Sequence, residues 1–148
     1  MTQDIPLAEI TLRRYEKPYQ TDKRELMKKI CLSLGLLQPG DSRDVIVDVL
    51  LVLENARKER KQVTSDEVKR LVEENRTKHN LEMKGIAESN IRRQLKRLGD
   101  MMILDKKGNL YNLSEFSSIQ EIFKNKIERF IIPQCVERVK DYLAELEK

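Results

Sequence analysis

A chain of 148 residues suits one compact domain with extensions, and a charged share of 36% against 39% hydrophobic favours a thin helical fold over a thick α/β core. The net charge of +4, from 29 basic and 25 acidic residues, is too small to name a partner by itself. Between Lys84 and Lys107, however, seven basic residues meet three acidic ones, so this stretch alone carries the excess and points to a local docking surface.

The first ten residues contain acids and a proline and lack a continuous apolar run, so no signal peptide is expected there. Residues 9–20 mix three basic residues with Tyr15 and Tyr19 and end in a turn around Pro18. They read as an arm draped on the body, with a basic arm reaching nucleic acid as the alternative. A helix is predicted over Lys23–Leu36, where Leu26, Met27, Ile30, Cys31 and Leu34 make the apolar side. Gly35 and the Pro39-Gly40 pair end it.

The next helix is predicted over Arg43–Glu59, capped by Asp41 or Ser42. Val45–Leu53 is apolar nearly all round and dense in β-branched residues, a composition that also suits a strand. Its cap, its length and its continuation through Glu54–Arg60 favour a centrally buried helix. This run includes Asp48 and is too short to span a bilayer, so no membrane segment is expected. Asp48 itself reads as a partly exposed or paired carboxylate. A third helix, Ser65–Asn75, is capped by Thr64 or Ser65 and favoured by Asp66 and Glu67 at its positive end. Residues 76–86, with His79 and Gly85, read as a linker.

A fourth helix begins at Glu88 or Ser89 and closes at Gly99, the expected left-handed residue. Met102–Leu104 and Leu110–Leu113 read as two short strands joined by a turn at residues 105–109, with Gly108 at positive φ. Residues 117–148 read as one long helix kinked at Pro133. Ile132, Cys135/Val136, Val139, Tyr142/Leu143 and Leu146 then recur at about 3.5 residues, a coiled-coil seam of about two heptads. That helix either folds back on the core or pairs with a second copy, and the thin core favours the homodimer.

The fourth helix carries the functional argument. Ile91, Leu95 and Leu98 share its anchoring face, which sets Asn90, Arg93, Gln94 and Arg97 on the opposite side, flanked by Arg92 and Lys96. Arg pairs with guanine, and Asn or Gln with adenine, in a major groove. Ser89 and the first backbone N–H groups can hold a phosphate. Four cations within six positions and no acid between them suit a binding face better than a solvated one. Lys106 and Lys107 at the hairpin tip add two more cations, and Thr64, Ser65 and Lys69 are weaker candidates for phosphate contact.

The order helix, helix, basic helix, hairpin over residues 41–114, and above all the stretch SNIRRQLKRLGDMMILDKKGNLYNLS (residues 89–114), resembles the winged helix-turn-helix superfamily, especially small prokaryotic and archaeal transcription regulators. The linker between the second and third helices of that unit is longer than the family's usual turn, from an extra helical turn or from a helix running past Asn75.

The resemblance implies a mainly α fold with a small two-stranded hairpin, in three parts: an N-terminal arm and helix (1–40), a winged helix-turn-helix (41–114) and a dimerisation helix (115–148). It also implies a double-stranded DNA-binding regulator whose reading helix is Ser89–Leu98, with a basic wing on the phosphate backbone. A two-fold dimer would present two such helices about 34 Å apart. Winged helices also serve as protein–protein modules, and structured RNA is a third reading. No enzyme, metal or cofactor is expected. His79 is the single histidine, the acidic pairs lie among Lys and Arg, and no phosphate-binding glycine motif occurs. Cys31 and Cys135 fit no metal spacing and, set among apolar neighbours, both read as buried free thiols of a cytoplasmic protein.

Overall fold

A computed structural model describes residues 4–148; Met1, Thr2 and Gln3, the start of the expected arm, lie outside the described residues. It is mainly helical with a small three-stranded antiparallel sheet. The order is α1 (Lys23–Ser33), α2 (Val45–Lys58), β1 (Val63–Thr64), α3 (Ser65–Lys78), α4 (Glu88–Asp100), β2 (Leu104–Lys107) and β3 (Leu110–Leu113). A 3₁₀ turn (Ser114–Phe116) leads into α5 (Ile119–Ile122), a π-helical segment (Phe123–Ile131) and α6 (Ile132–Leu146). No helix of the described residues is long and apolar enough to cross a membrane.

Side chains of α2 from Val45 to Leu53 are all buried, so this helix is the axis around which the others pack. A helix enclosed by neighbours buries every side of such a run. The core continues through Met27 and Cys31 of α1 and its C-cap Leu34, Val68 and Val72 of α3, Ile91, Leu95 and Leu98 of α4, and Leu113 of β3. Ile122, Ile127 and Ile131 complete it from the C-terminal rod. Their spacing of five and then four exceeds the 3.6 residues of an α-turn, and wider i→i+5 turns keep all three on one side. These wide turns stand just ahead of Pro133, at the start of α6, where the sequence predicts a kink.

A four-membered ionic cluster joins α1, α2 and α3. Asp48, fully buried, accepts from Arg24 Nε at 3.1 Å, Arg24 Nη2 at 3.1 Å, Asn75 Nδ2 at 2.6 Å and Arg76 Nη1 at 2.7 Å. Asp44 accepts from Arg24 at 3.2 Å and from Arg76 at 3.0 Å. Two arginines and two aspartates neutralise one another, and among the described residues no buried side-chain N or O lacks a partner. The pairing expected of Asp48 is present, but its exposure is not. The same cluster explains why α2 starts at Val45 instead of Arg43: Asp44 takes the N-cap position, and its carboxylate is used by the two arginines, so it caps nothing. Arg76, read as linker, belongs to α3, which runs past Asn75 to Lys78.

The sheet corrects the expected hairpin in two ways. It has three strands in the order β1-β3-β2, because Val63–Thr64, just ahead of α3, pairs with Tyr111 and Leu110. Its second strand begins at Leu104, so Asp105, Lys106 and Lys107 are strand and not turn. Gly99 stays helical, and the left-handed residue is Met102 (φ +63), where Met102 N–H donates to Gly99 and Ile103 N–H to Leu98. The tight turn sits at Gly108, with φ +60 as expected.

Candidate nucleic-acid interface

Three elements position the basic residues. The buried faces of α4 and α3 lock against α2, and β2 lies beside α4. The expected cap of α4 at Glu88 or Ser89 is not formed. Ala87 holds the N-cap with no side-chain bond, and Ser89 lies exposed in the first turn.

Outward from the body α4 presents Ser89, Arg92, Arg93 and Lys96, all exposed. Asn90, Gln94 and Arg97, expected on that same outer side, are half-buried on its flank instead. They form a chain of hydrogen bonds along the helix. Asn90 Nδ2 donates to the Gly85 carbonyl at 2.7 Å, and its Oδ1 accepts from Gln94 Nε2 at 3.1 Å. Gln94 Oε1 accepts from Arg97 Nη1 at 2.8 Å, and Arg97 Nη2 donates to the Leu36 carbonyl at 3.0 Å. With Ile91 and Leu98 anchored, a rotation of 100° per residue carries this trio toward the α1–α2 loop. Its polar groups fasten that loop and the α3–α4 connection to α4.

The remaining cations are not equivalent. Arg92 pairs with Glu88 at 2.6 Å and Lys96 with Asp100 at 3.2 Å, each four residues apart on the helix. Read over residues 92–97 alone the face holds no acid; these flanking acids supply the intrahelical partners. Both pairs stand well exposed and contribute about 0.3–0.5 kcal/mol each, so an incoming anion can displace the carboxylate. Arg93 makes one long contact, 3.4 Å to Asn90 Oδ1. On the hairpin, Lys106 lies 5.7 Å from the centre of the Tyr111 ring across from it, and Lys107 is exposed at the end of β2. Thr64 is committed to a capping box with Glu67 at the start of α3, while Lys69 reaches Glu73 at 3.6 Å.

The arm is draped across the body: Arg13 donates to the carbonyls of Leu32 at 2.8 Å and Leu37 at 3.2 Å. Lys29 sits 4.6 Å from the Tyr15 ring centre and 2.7 Å from Glu16, which holds the Glu16 carboxyl below its ordinary range. His79 is the C-cap residue of α3, its Nδ1 2.9 Å from the Asn75 carbonyl.

No family model, curated protein or solved structure matches the chain.

Proposed function

We propose that the chain is a winged helix-turn-helix DNA-binding protein, a sequence-specific transcription regulator that docks α4 in a major groove and the β2–β3 hairpin on the adjoining backbone. One arrangement supports the reading: a helix, strand, helix, helix, hairpin order with the sheet in order β1-β3-β2, in which β2, bearing the exposed Lys106 and Lys107, packs next to α4, bearing the exposed Arg92, Arg93 and Lys96. Helix α2 and helix α3 support the reading helix α4, and Lys106 and Lys107 sit on the wing.

The division of labour follows from which side chains are exposed and which are tied to the body of the chain. Ser89, Arg92, Lys96, Lys106 and Lys107 supply phosphate contacts, which give affinity without sequence preference. Arg93 carries base selectivity, because Asn90, Gln94 and Arg97 are bonded within the chain. Selection from a random duplex pool, followed by salt titration, tests this. With about six phosphates neutralised, log K falls against log salt with a slope of about −5. Arg93→Ala flattens the sequence preference, and Lys107→Ala weakens all duplexes alike. Unchanged binding by an Arg92→Ala/Arg93→Ala/Lys96→Ala variant overturns the reading.

The Glu88 and Asp100 carboxylates beside Arg92 and Lys96 favour a second reading, a protein-docking face of a larger nucleic-acid-handling complex, because mixed charges suit a protein partner better than phosphate. Competition of duplex DNA against RNA and heparin separates the two.

A further inference from the structure

Helix α6 has no buried residue over fifteen positions, although a helix of this length is marginal in water without a partner. Its large apolar side chains are concentrated on one strip. Val136 is 45% exposed, Val139 58%, Tyr142 73%, Leu143 56% and Leu146 78%. At 100° per residue these five, with Ile132 and Cys135, span an arc of about 120°, the width that a packed helix normally buries.

The charges beside the strip say what covers it. One edge carries Arg138 followed seven residues later by Glu145; the other carries Lys140 followed seven later by Glu147. In a parallel pair of identical helices, one edge faces the partner's other edge at the same height. Arg138 would then face Lys140, and Glu145 would face Glu147: like charges on both seams. In an antiparallel pair each edge faces itself reversed, so Arg138 meets Glu145 and Lys140 meets Glu147, each twice by symmetry. The existing contact of Arg138 with Asp141, at 3.3 Å, is exposed on both sides and weak enough to exchange.

We propose that α6 is an isologous docking surface for a second copy of this chain, paired antiparallel about a two-fold axis near Tyr142 and Leu143. So short a seam buries less than a standard interface, and the dimer is reversible. The proposal concerns the partner of the DNA-binding unit but does not rest on DNA binding, since mass is read without DNA.

Analytical ultracentrifugation of the full chain over a concentration series is the test. The mass rises from one chain to two, and Leu143→Asp holds it at one while the far-UV signal of the body persists. Arg138→Glu weakens the dimer about fivefold, and Arg138→Glu/Glu145→Arg restores it. Wild type that stays a single chain at every concentration, or Leu143→Asp that still dimerises, overturns the proposal. Tightening by Arg138→Glu assigns the parallel arrangement and overturns it too. So does an oxidised Cys135–Cys135 dimer, because the antiparallel pair holds these thiols about 20 Å apart along the helices. Arg93→Ala, by contrast, changes DNA binding and leaves the mass unaltered.

Discussion

Arg97 Nη2 donates to the carbonyl oxygen of Leu36 at 3.0 Å, across sixty-one residues of sequence. The acceptor lies in the loop that follows α1, where helix ends leave carbonyls without partners. Arg13 takes the carbonyls of Leu32 and Leu37, so two arginines close this loop. A basic residue on a helix that also bears Arg92, Arg93 and Lys96 is therefore structural. Arg97→Ala should lower unfolding free energy by about 1–3 kcal/mol, the cost of removing charge-assisted bonds from half-buried carbonyls. Arg93→Ala should change it by less than about 0.5 kcal/mol, as surface substitutions do. Urea denaturation of both variants measures the contrast; equal losses would refute it.

Asp48→Asn should be far more damaging. The amide keeps the volume but removes the charge that faces two buried guanidinium groups and turns an N–H₂ toward them. Breaking one side of a buried ion network costs about 3–5 kcal/mol, because the other side stays charged and out of water. A variant that unfolds within about 1 kcal/mol of wild type would mean that water reaches Arg24 and Arg76.

Acid should loosen the same cluster. At Asp44 desolvation is the largest single influence and pushes the carboxyl up, but the bonds and charges of Arg76 and Arg24 together outweigh it and hold it below its ordinary value. A carboxyl depressed by folding stabilises the folded state above its unfolded pKa of about 3.9. That contribution is lost as pH falls below 3.9 and through the lower folded value. The thermal midpoint should thus hold from neutrality to about pH 5 and fall at lower pH. Asp44→Asn should start lower and fall less steeply over that acid range.

What the sequence made legible is the part governed by local rules. The buried centre of α2 follows from an apolar run too continuous for a half-exposed element, and the start of α3 from the hydroxyls of Thr64 and Ser65 ahead of two acids, although only the structure selects Thr64 as the cap. The anchoring face Ile91–Leu95–Leu98 follows from helical spacing. Long-range partners were not legible. Nothing near Val63 signals that it pairs with Tyr111, and two residues are too few to show a strand period. Arg24 and Arg76 look like ordinary solvated charges, because their carboxylates come from another helix. The orientation of Arg97 depends on a loop sixty residues earlier. Gly99 is the glycine a C-cap rule selects, yet Met102 takes the left-handed position and sets Ile103 in line with Ser114.

Two glycines with similar backbone should respond differently to alanine. Gly35 and Gly108 have φ of +71 and +60. A Cβ at Gly108 meets nothing within 4 Å, so Gly108→Ala costs only the left-handed strain of about 1–2 kcal/mol. At Gly35 the added carbon would fall 2.5 Å from Thr11 Cβ in the draped arm. Gly35→Ala should cost about 2–5 kcal/mol, and adding Thr11→Gly should return the excess over Gly108→Ala. No recovery would show that the arm does not hold Thr11 against the loop.

The two thiols should separate by reactivity in the folded chain. Burial is the main reason the Cys31 thiol is pushed up to about 12; Arg97 and Arg24 only partly offset it, so almost no thiolate exists at neutral pH. Cys31 is also fully enclosed by the core, which keeps a reagent from reaching the sulfur. Cys135 is half-buried at the start of the exposed helix α6, its Sγ 3.9 Å from the Ala8 carbonyl. A chromogenic disulfide added at neutral pH should therefore titrate one thiol quickly and the second only at the rate of global unfolding. In urea both should react together. Cys135→Ser should abolish the fast phase, while Asp48→Asn, which loosens α1 against α2, should speed the slow one. If Cys31 reacts in the fast phase of wild type, α1 opens without the rest of the core.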